Sequence, residues 1–314
     1  MTGHEPRNTV VDAAEFRALY SRLQQASNRG SSDRRGALDN LTPGHVLAAV
    51  QDVRSGKNVS LARPIEVNAS PDNPEPCRHE MVRGLGRDAS GAGLHFAADR
   101  ITMNVHGDAD SHIDALCHVI YDGKLYNAVD ADTLTPSGAS VLSIGEASDG
   151  IVGRGVLLDI TRVRGTSWLE PGDFVTADDL AAAERAQHLR VGQGDLMFVR
   201  VGHSRRRTEL GPWNAAEARA GLHPAAMEFV AERRVSVLGS DGNSDTAPST
   251  TEGVGFPVHV LAINAMGLPL LDYLRFEDLV EACEAEDRWS FLCVIAPLRL
   301  PTATGSPVNP IAIV

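Results

Sequence analysis

The segment Val105-His106-Gly107-Asp108-Ala109-Asp110-Ser111-His112-Ile113-Asp114-Ala115-Leu116-Cys117-His118 gathers three histidines and three aspartates into fourteen residues. Burying imidazoles and carboxylates at this density costs desolvation energy unless something compensates. A divalent cation does so, because neutral imidazole and ionised carboxylate are both ligands for zinc or manganese. His112 and Asp114 stand two positions apart, so in an extended strand both side chains leave the same face. His118, four beyond Asp114, can return to the site after a turn or at a helix start. The competing reading is an exposed polar loop whose histidines only meet solvent.

The rest of the chain supplies elements to position this segment. Phe16, Leu19, Tyr20 and Leu23 are spaced like one face of a helix over 11–25. A polar loop follows at 27–35. Thr42-Pro43 opens a second helix, Thr as cap and Pro at the first helical position, with Val46, Ala49, Val50 and Val53 on one face. Residues 59–67 read as the first strand. Residues 70–93, broken by Pro71, Pro74, Pro76 and Gly84, form a long excursion of the kind that serves as a lid. Buried strands are expected at 156–160 and 195–201, further strands at 235–240 and 289–300, helices at 176–188, 215–233 and 277–286, and another apolar run at 258–265. Strands and helices alternate without a clean βαβ rhythm or a GxGxxG. The class is α/β, with α+β as the alternative, in one domain with a β-rich core.

The 314 residues, 43% hydrophobic and 22% charged, suffice for a large core and disfavour disorder. A formal net charge of −12 repels phosphate backbones and anionic lipid heads, so neither nucleic acid nor membrane is an expected partner. The one dense basic cluster, Arg205-Arg206-Arg207, reads as a solvated loop. No apolar stretch approaches the roughly 20 residues of a membrane helix, and residues 1–7 do not read as a signal peptide. Cys77, Cys117, Cys283 and Cys293 are scattered, as expected of buried thiols in a reducing cytoplasm.

The 111–118 segment resembles the signature HxGTHxDxPxH of the bacterial cyclase/kynurenine formamidase family, which includes metal-dependent arylformamidases, isatin hydrolase and a trans-dienelactone hydrolase. Further stretches are similar to that family in the same order: Gly36 to Pro43, Asp122-Gly123 with Tyr126-Asn127, Gly153 to Asp159, and Thr304 to Pro310. The resemblance implies a swivelling β/β/α core, with 1–58 as a helical segment that serves oligomerisation and 59–314 as the hydrolase domain. It implies one or two divalent metals per chain, zinc or manganese. His112, Asp114, His118 and His259 fall on family ligand positions, and Asp272 stands where the family has glutamate. Four before His112, where the family has its first histidine, stands Asp108. Either Asp108, the preferred reading, substitutes as an oxygen ligand, or His106 reaches the site through a bulged loop.

The implied activity is hydrolysis of an amide or lactone in a small cyclic or aryl substrate by metal-activated water, with His118 moving the proton. The alternative is a non-catalytic relative that binds a small molecule or a structural metal. No Gly-x-Ser-x-Gly elbow appears, which disfavours a serine hydrolase. His223 and Asp241 are candidate substrate contacts, the latter in a strand-end segment similar to one near the family's site. A homo-oligomer, a dimer or larger, is implied, and no partner other than a small-molecule substrate.

Overall fold

The computed structural model describes residues 10–82 and 96–314. Nine strands form one mixed sheet: β1 (Asn58–Ser60), β2 (His112–Asp114), β3 (Ile151–Asp159), β4 (Leu196–Arg200), β5 (Val237–Ser240), β6 (Leu270–Asp272), β7 (Ser290–Ile295), β8 (Gly305–Pro307) and β9 (Ile311–Ile313). Their spatial order is β1-β9-β7-β3-β4-β5-β6-β2-β8. The central four, β3 to β6, run parallel, and the outer pairings are antiparallel. Among the described residues the α-helices are α1 (Ala13–Ala26), α2 (Pro43–Val50), α3 (Ile160–Arg164), α4 (Ala177–Ala186), α5 (His203–Leu210), α6 (Met227–Arg233), α7 (Pro257–His259) and α8 (Glu277–Ala285).

Parallel neighbours cannot be joined by a tight hairpin, so helices carry the chain back between them. α3 and α4 link β3 to β4, α5 and α6 link β4 to β5, and α7 lies between β5 and β6. Irregular stretches such as 165–173 and 211–220 conceal this rhythm in the sequence. β4 is buried throughout, as a strand covered on both faces must be. α1 starts at a capping box, Asp12 with Glu15, and turns Phe16, Leu19 and Leu23 inward. That face packs on the chain's own 260–265 turn and on α6.

Several elements differ from the sequence expectation. The first strand ends at Ser60, because the next residue of the partner strand, Pro310, has no N–H to continue the ladder. The expected helix over 215–233 is a 3-10 turn at Pro224–Ala226 and α-helical only from Met227. Gly221-Leu222 instead pairs with Phe174-Val175, and a Cβ at Gly221 would fall 2.3 Å from the Asp245 carbonyl carbon. The apolar run at 258–265 is helical, α7 passing into a π-helical turn whose six residues are all buried. Apolar side chains on every side suit a helix enclosed by the core. Arg205, Arg206 and Arg207 lie on α5 rather than in a loop. Successive helix positions point in different directions, so they reach separate acids: Glu209, Glu170 and Asp72.

All four cysteines are free and buried. Of the excursion at 70–93, residues 83–93 lie outside the described residues, as do His4, His95 and the rest of the 1–7 segment. Its described part includes an exposed two-stranded ribbon, Arg78–Met81 against Asp99–Thr102. No helix among the described residues is long and apolar enough to cross a membrane.

Candidate metal centre

β2 is three residues long, entirely buried, and held between β6 and β8. Alternation sends Ile113 into the hydrophobic core and His112 and Asp114 together to the other face. Asp272 of β6 stands directly opposite His112, so its side chain joins that face. Strand geometry alone therefore brings three donors together.

His106 arrives from the preceding loop. Its Nδ1 lies 2.8 Å from Asp114 Oδ1 and its Nε2 lies 2.9 Å from Thr304 Oγ1. Gly305, paired with Asp114 across the ladder, leaves the space that the ring occupies: a Cβ there would lie 2.8 Å from His106 Cε1. His106, His112 and Asp114 each offer one donor atom, all within 4.8 Å of one another. His112 Nδ1 donates to the Asp110 carbonyl at 2.9 Å, which leaves Nε2 with a lone pair 3.6 Å from Asp114 Oδ1.

His259 closes the arrangement from α7. Its Nδ1 lies 2.6 Å from Asp245 Oδ2, and the same carboxylate accepts the N–H groups of Val258 and His259 at the start of the helix. The opposite ring nitrogen lies 3.4 Å from Asp114 Oδ2 and 3.4 Å from Asp272 Oδ2. Asp272 Oδ1 accepts the Ser244 N–H and hydroxyl. The Oδ2 atoms of Asp114 and Asp272 are buried without a hydrogen-bond partner. Two orphaned carboxylate oxygens among imidazole nitrogens are the donor set of a divalent cation, and these residues fit one.

The electrostatics agree. Burial works to raise the Asp114 carboxyl, but the His106 hydrogen bond and the close His259, His118 and His112 imidazoles hold it well below the usual range. Burial works to lower His259, and contacts with Asp114, Asp245 and Asp272 outweigh it and hold the imidazole well above its ordinary value. Three carboxylates thus demand positive charge at this imidazole.

His118 is half-buried and stacks on His106 with ring centroids 3.7 Å apart and planes 9° from parallel. Burial pushes its imidazole down to about 4; Asp114 works upward against burial and the other histidines work downward with it. His106, His112, Asp114, His118 and His259 line a cavity of about 510 Å3. Ile120, Tyr121, Val254, Phe256 and Val260 supply apolar wall.

The structure brings together His106, His112, Asp114, His259 and Asp272, with His118 on the wall. Asp108 also lines the cavity, but its carboxylate accepts the Tyr273 hydroxyl, and His106 supplies the cluster's remaining atom. Asp241 and His223 are not among the cavity-lining residues. Asp241 is fully buried and accepts the Val201 N–H at 2.7 Å. His223 caps a 3-10 turn through the Ala225 N–H and packs on Phe174.

Sequence reasoning missed Asp245 as the partner of His259, and Asn243 as a lining residue, although both lie in the strand-end segment it singled out. It also missed Tyr273, Thr304 and Gly305. The last two fall in the C-terminal stretch that carried part of the resemblance.

The sequence model of the Cyclase family, described as "Putative cyclase", matches residues 45–245. The chain belongs to the cyclase family. Comparison with curated proteins returned no match. A solved structure described as a novel cyclase superimposes on this chain with a TM-score of 0.84 at 30% identity, over 94% of this chain and 99% of that one. Isatin hydrolase A from Labrenzia aggregata, bound to benzyl benzoate, matches at 0.56 and 20% identity, over 85% and 95%. Isatin hydrolase A from Ralstonia solanacearum matches at 0.53 and 23%, over 86% and 97%. The last two likenesses are of fold.

Proposed function

We propose that this member of the cyclase family is a metal-dependent hydrolase that cleaves an amide or lactone bond of a small cyclic or aryl substrate. The observation that carries this reading is the cluster of His106, His112 and Asp114 donor atoms at the floor of a cavity with apolar walls. These three would hold a divalent cation, zinc or manganese. Asp114 Oδ2, Asp272 and His259 form a second group of facing donors, which supports room for two. A cation so placed supplies Lewis acidity, lowering the pKa of water and polarising a carbonyl oxygen.

The chain's own residues do the rest. Asp245 accepts from His259 Nδ1 and orients that ring, and the Ser244 N–H and hydroxyl orient the Asp272 carboxylate. His118, stacked on His106 and open to the cavity, is placed to take a proton from the attacking water and return it to the leaving nitrogen or oxygen. Phe256 and Ile120, both about half exposed on the cavity wall, offer apolar surface to a ring. The ring-bearing ligands of the isatin hydrolases, benzyl benzoate and thioisatinate, support this choice. The same reading carries a homo-oligomer, checked by light scattering.

Elemental analysis of wild type beside His112→Ala, with turnover on a panel of lactams, lactones and aryl amides, tests the proposal. One or two metal equivalents and metal-dependent hydrolysis are expected, both lost in the variant. Turnover that survives His112→Ala, or a metal-loaded wild type inert on the whole panel, would sink it.

A further inference from the structure

His106 and Asp108 lie two residues apart on one loop, and both line the cavity. Only His106 gives an atom to the cluster with His112 and Asp114. What separates them is Tyr273, whose hydroxyl donates to Asp108 Oδ1.

Tyr273 has little freedom to follow a moving carboxylate. It is fully buried, with its N–H on the Gly242 carbonyl at 2.9 Å and its own carbonyl accepting the Ser111 hydroxyl at 2.6 Å. Its backbone sits in the left-handed region, φ +57, where a non-glycine residue persists only if its surroundings hold it. The ring is wedged between those of His112 and His203, with centroids 6.3 and 5.4 Å away. Tyr273 also directly follows Asp272. One residue therefore touches or adjoins every segment that brings a donor to the floor except α7.

We propose that Tyr273 sets the metal preference of this site by holding the Asp108 carboxylate aside, so that an imidazole, His106, fills the position a third carboxylate would otherwise take. The inference rests on the metal-dependent reading given above. Imidazole suits zinc, whereas carboxylate oxygen suits manganese and magnesium. Tyr273 is thus a positioning residue, acting on the cation through Asp108.

The test measures zinc and manganese affinities by chelator competition, and the electronic absorption of the cobalt(II) form, in wild type and variants. Tyr273→Phe releases Asp108 and should move the zinc-to-manganese affinity ratio about tenfold towards manganese. Its cobalt bands should weaken as oxygen ligation rises. Tyr273→Phe combined with Asp108→Asn should restore the wild-type ratio and spectrum, which a general loosening of the fold would not do. Should Tyr273→Phe fail to fold, Asp108→Glu, too long for its dock on the phenol, should give the same shift. An unchanged ratio in a folded Tyr273→Phe, or a double variant that stays shifted, overturns the inference. Zinc affinity unaffected by His106→Ala overturns it while leaving the proposed hydrolase standing. A wild type that binds neither metal overturns both.

Discussion

Gly305→Ala should unseat His106 without removing any donor atom. A Cβ at this position would lie 2.5 Å from the Ile113 carbonyl oxygen, 2.8 Å from His106 Cε1 and 3.2 Å from its Nε2. Comfortable carbon contacts begin near ~3.5 Å, so the ring must retreat by roughly 0.7 Å. Movement of that size away from Asp114 stretches the 2.8 Å contact of His106 Nδ1 to about the 3.5 Å limit of hydrogen bonding. The Thr304 contact at the opposite nitrogen is disturbed by the same motion. One charge-assisted and one neutral hydrogen bond are together worth about 3 kcal/mol. At roughly 2–4 °C per kcal/mol, the metal-free protein should melt on the order of 6–12 °C lower. Metal affinity should fall at least about tenfold, as when the support of a ligand is removed. Calorimetry and chelator titration read the two effects separately. Gly305→Ala combined with His106→Ala should be less destabilised than the sum of the single changes, because the ring is then absent. A Gly305→Ala protein that melts within about 2 °C of wild type and holds metal equally well would refute the reasoning.

Two further predictions concern buried carboxylates. Asp245→Asn removes the carboxylate charge and turns one of the two acceptor oxygens that orient His259 and hold the start of α7 into a donor. Metal affinity should fall about 10- to 100-fold, and titration at the wild-type value would show that His259 needs no such support. Asp241 has its carboxyl pushed up to about 7, first by burial and then by the charges of Glu277 and Asp159, against Arg200 and the Val201 N–H. The folded protein therefore keeps a proton that the unfolded chain has released, an advantage present below about 3.8 and lost as pH rises through about 7. Asp241→Asn should gain on wild type by a few kcal/mol across that window. Parallel denaturation curves from pH 4 to pH 7 would contradict it.

The part of the site carried by strand periodicity was legible in the sequence. His112 and Asp114 share a face because side chains alternate, and that needs nothing beyond their spacing. The helices of 13–26, 177–186 and 277–285 were legible for the same kind of reason: each carries its own periodicity, and α1 and α4 begin at capping boxes. The parallel centre of the sheet was not. Its crossovers contain long irregular stretches, and whether an apolar run such as 258–265 is strand or helix is decided by what surrounds it.

The choice between His106 and Asp108 shows where spacing runs out. Counting back from His112 favours Asp108, because position along a loop is all that a count contains. In the folded chain the choice is made from the far end of the sequence. Thr304, just before β8, and Gly305, its first residue, arrive beside β2, one holding the His106 ring and the other leaving room for it. Tyr273 arrives after β6 and engages the competing carboxylate. Residues more than 150 positions away thus determine which of two neighbours faces the cation site. That remote control is a property of the strand order β6-β2-β8, and it gives the Asp108, Tyr273 and Gly305 variants their value as tests. Each alters a residue outside the three-atom cluster, yet each is expected to change what the cluster binds.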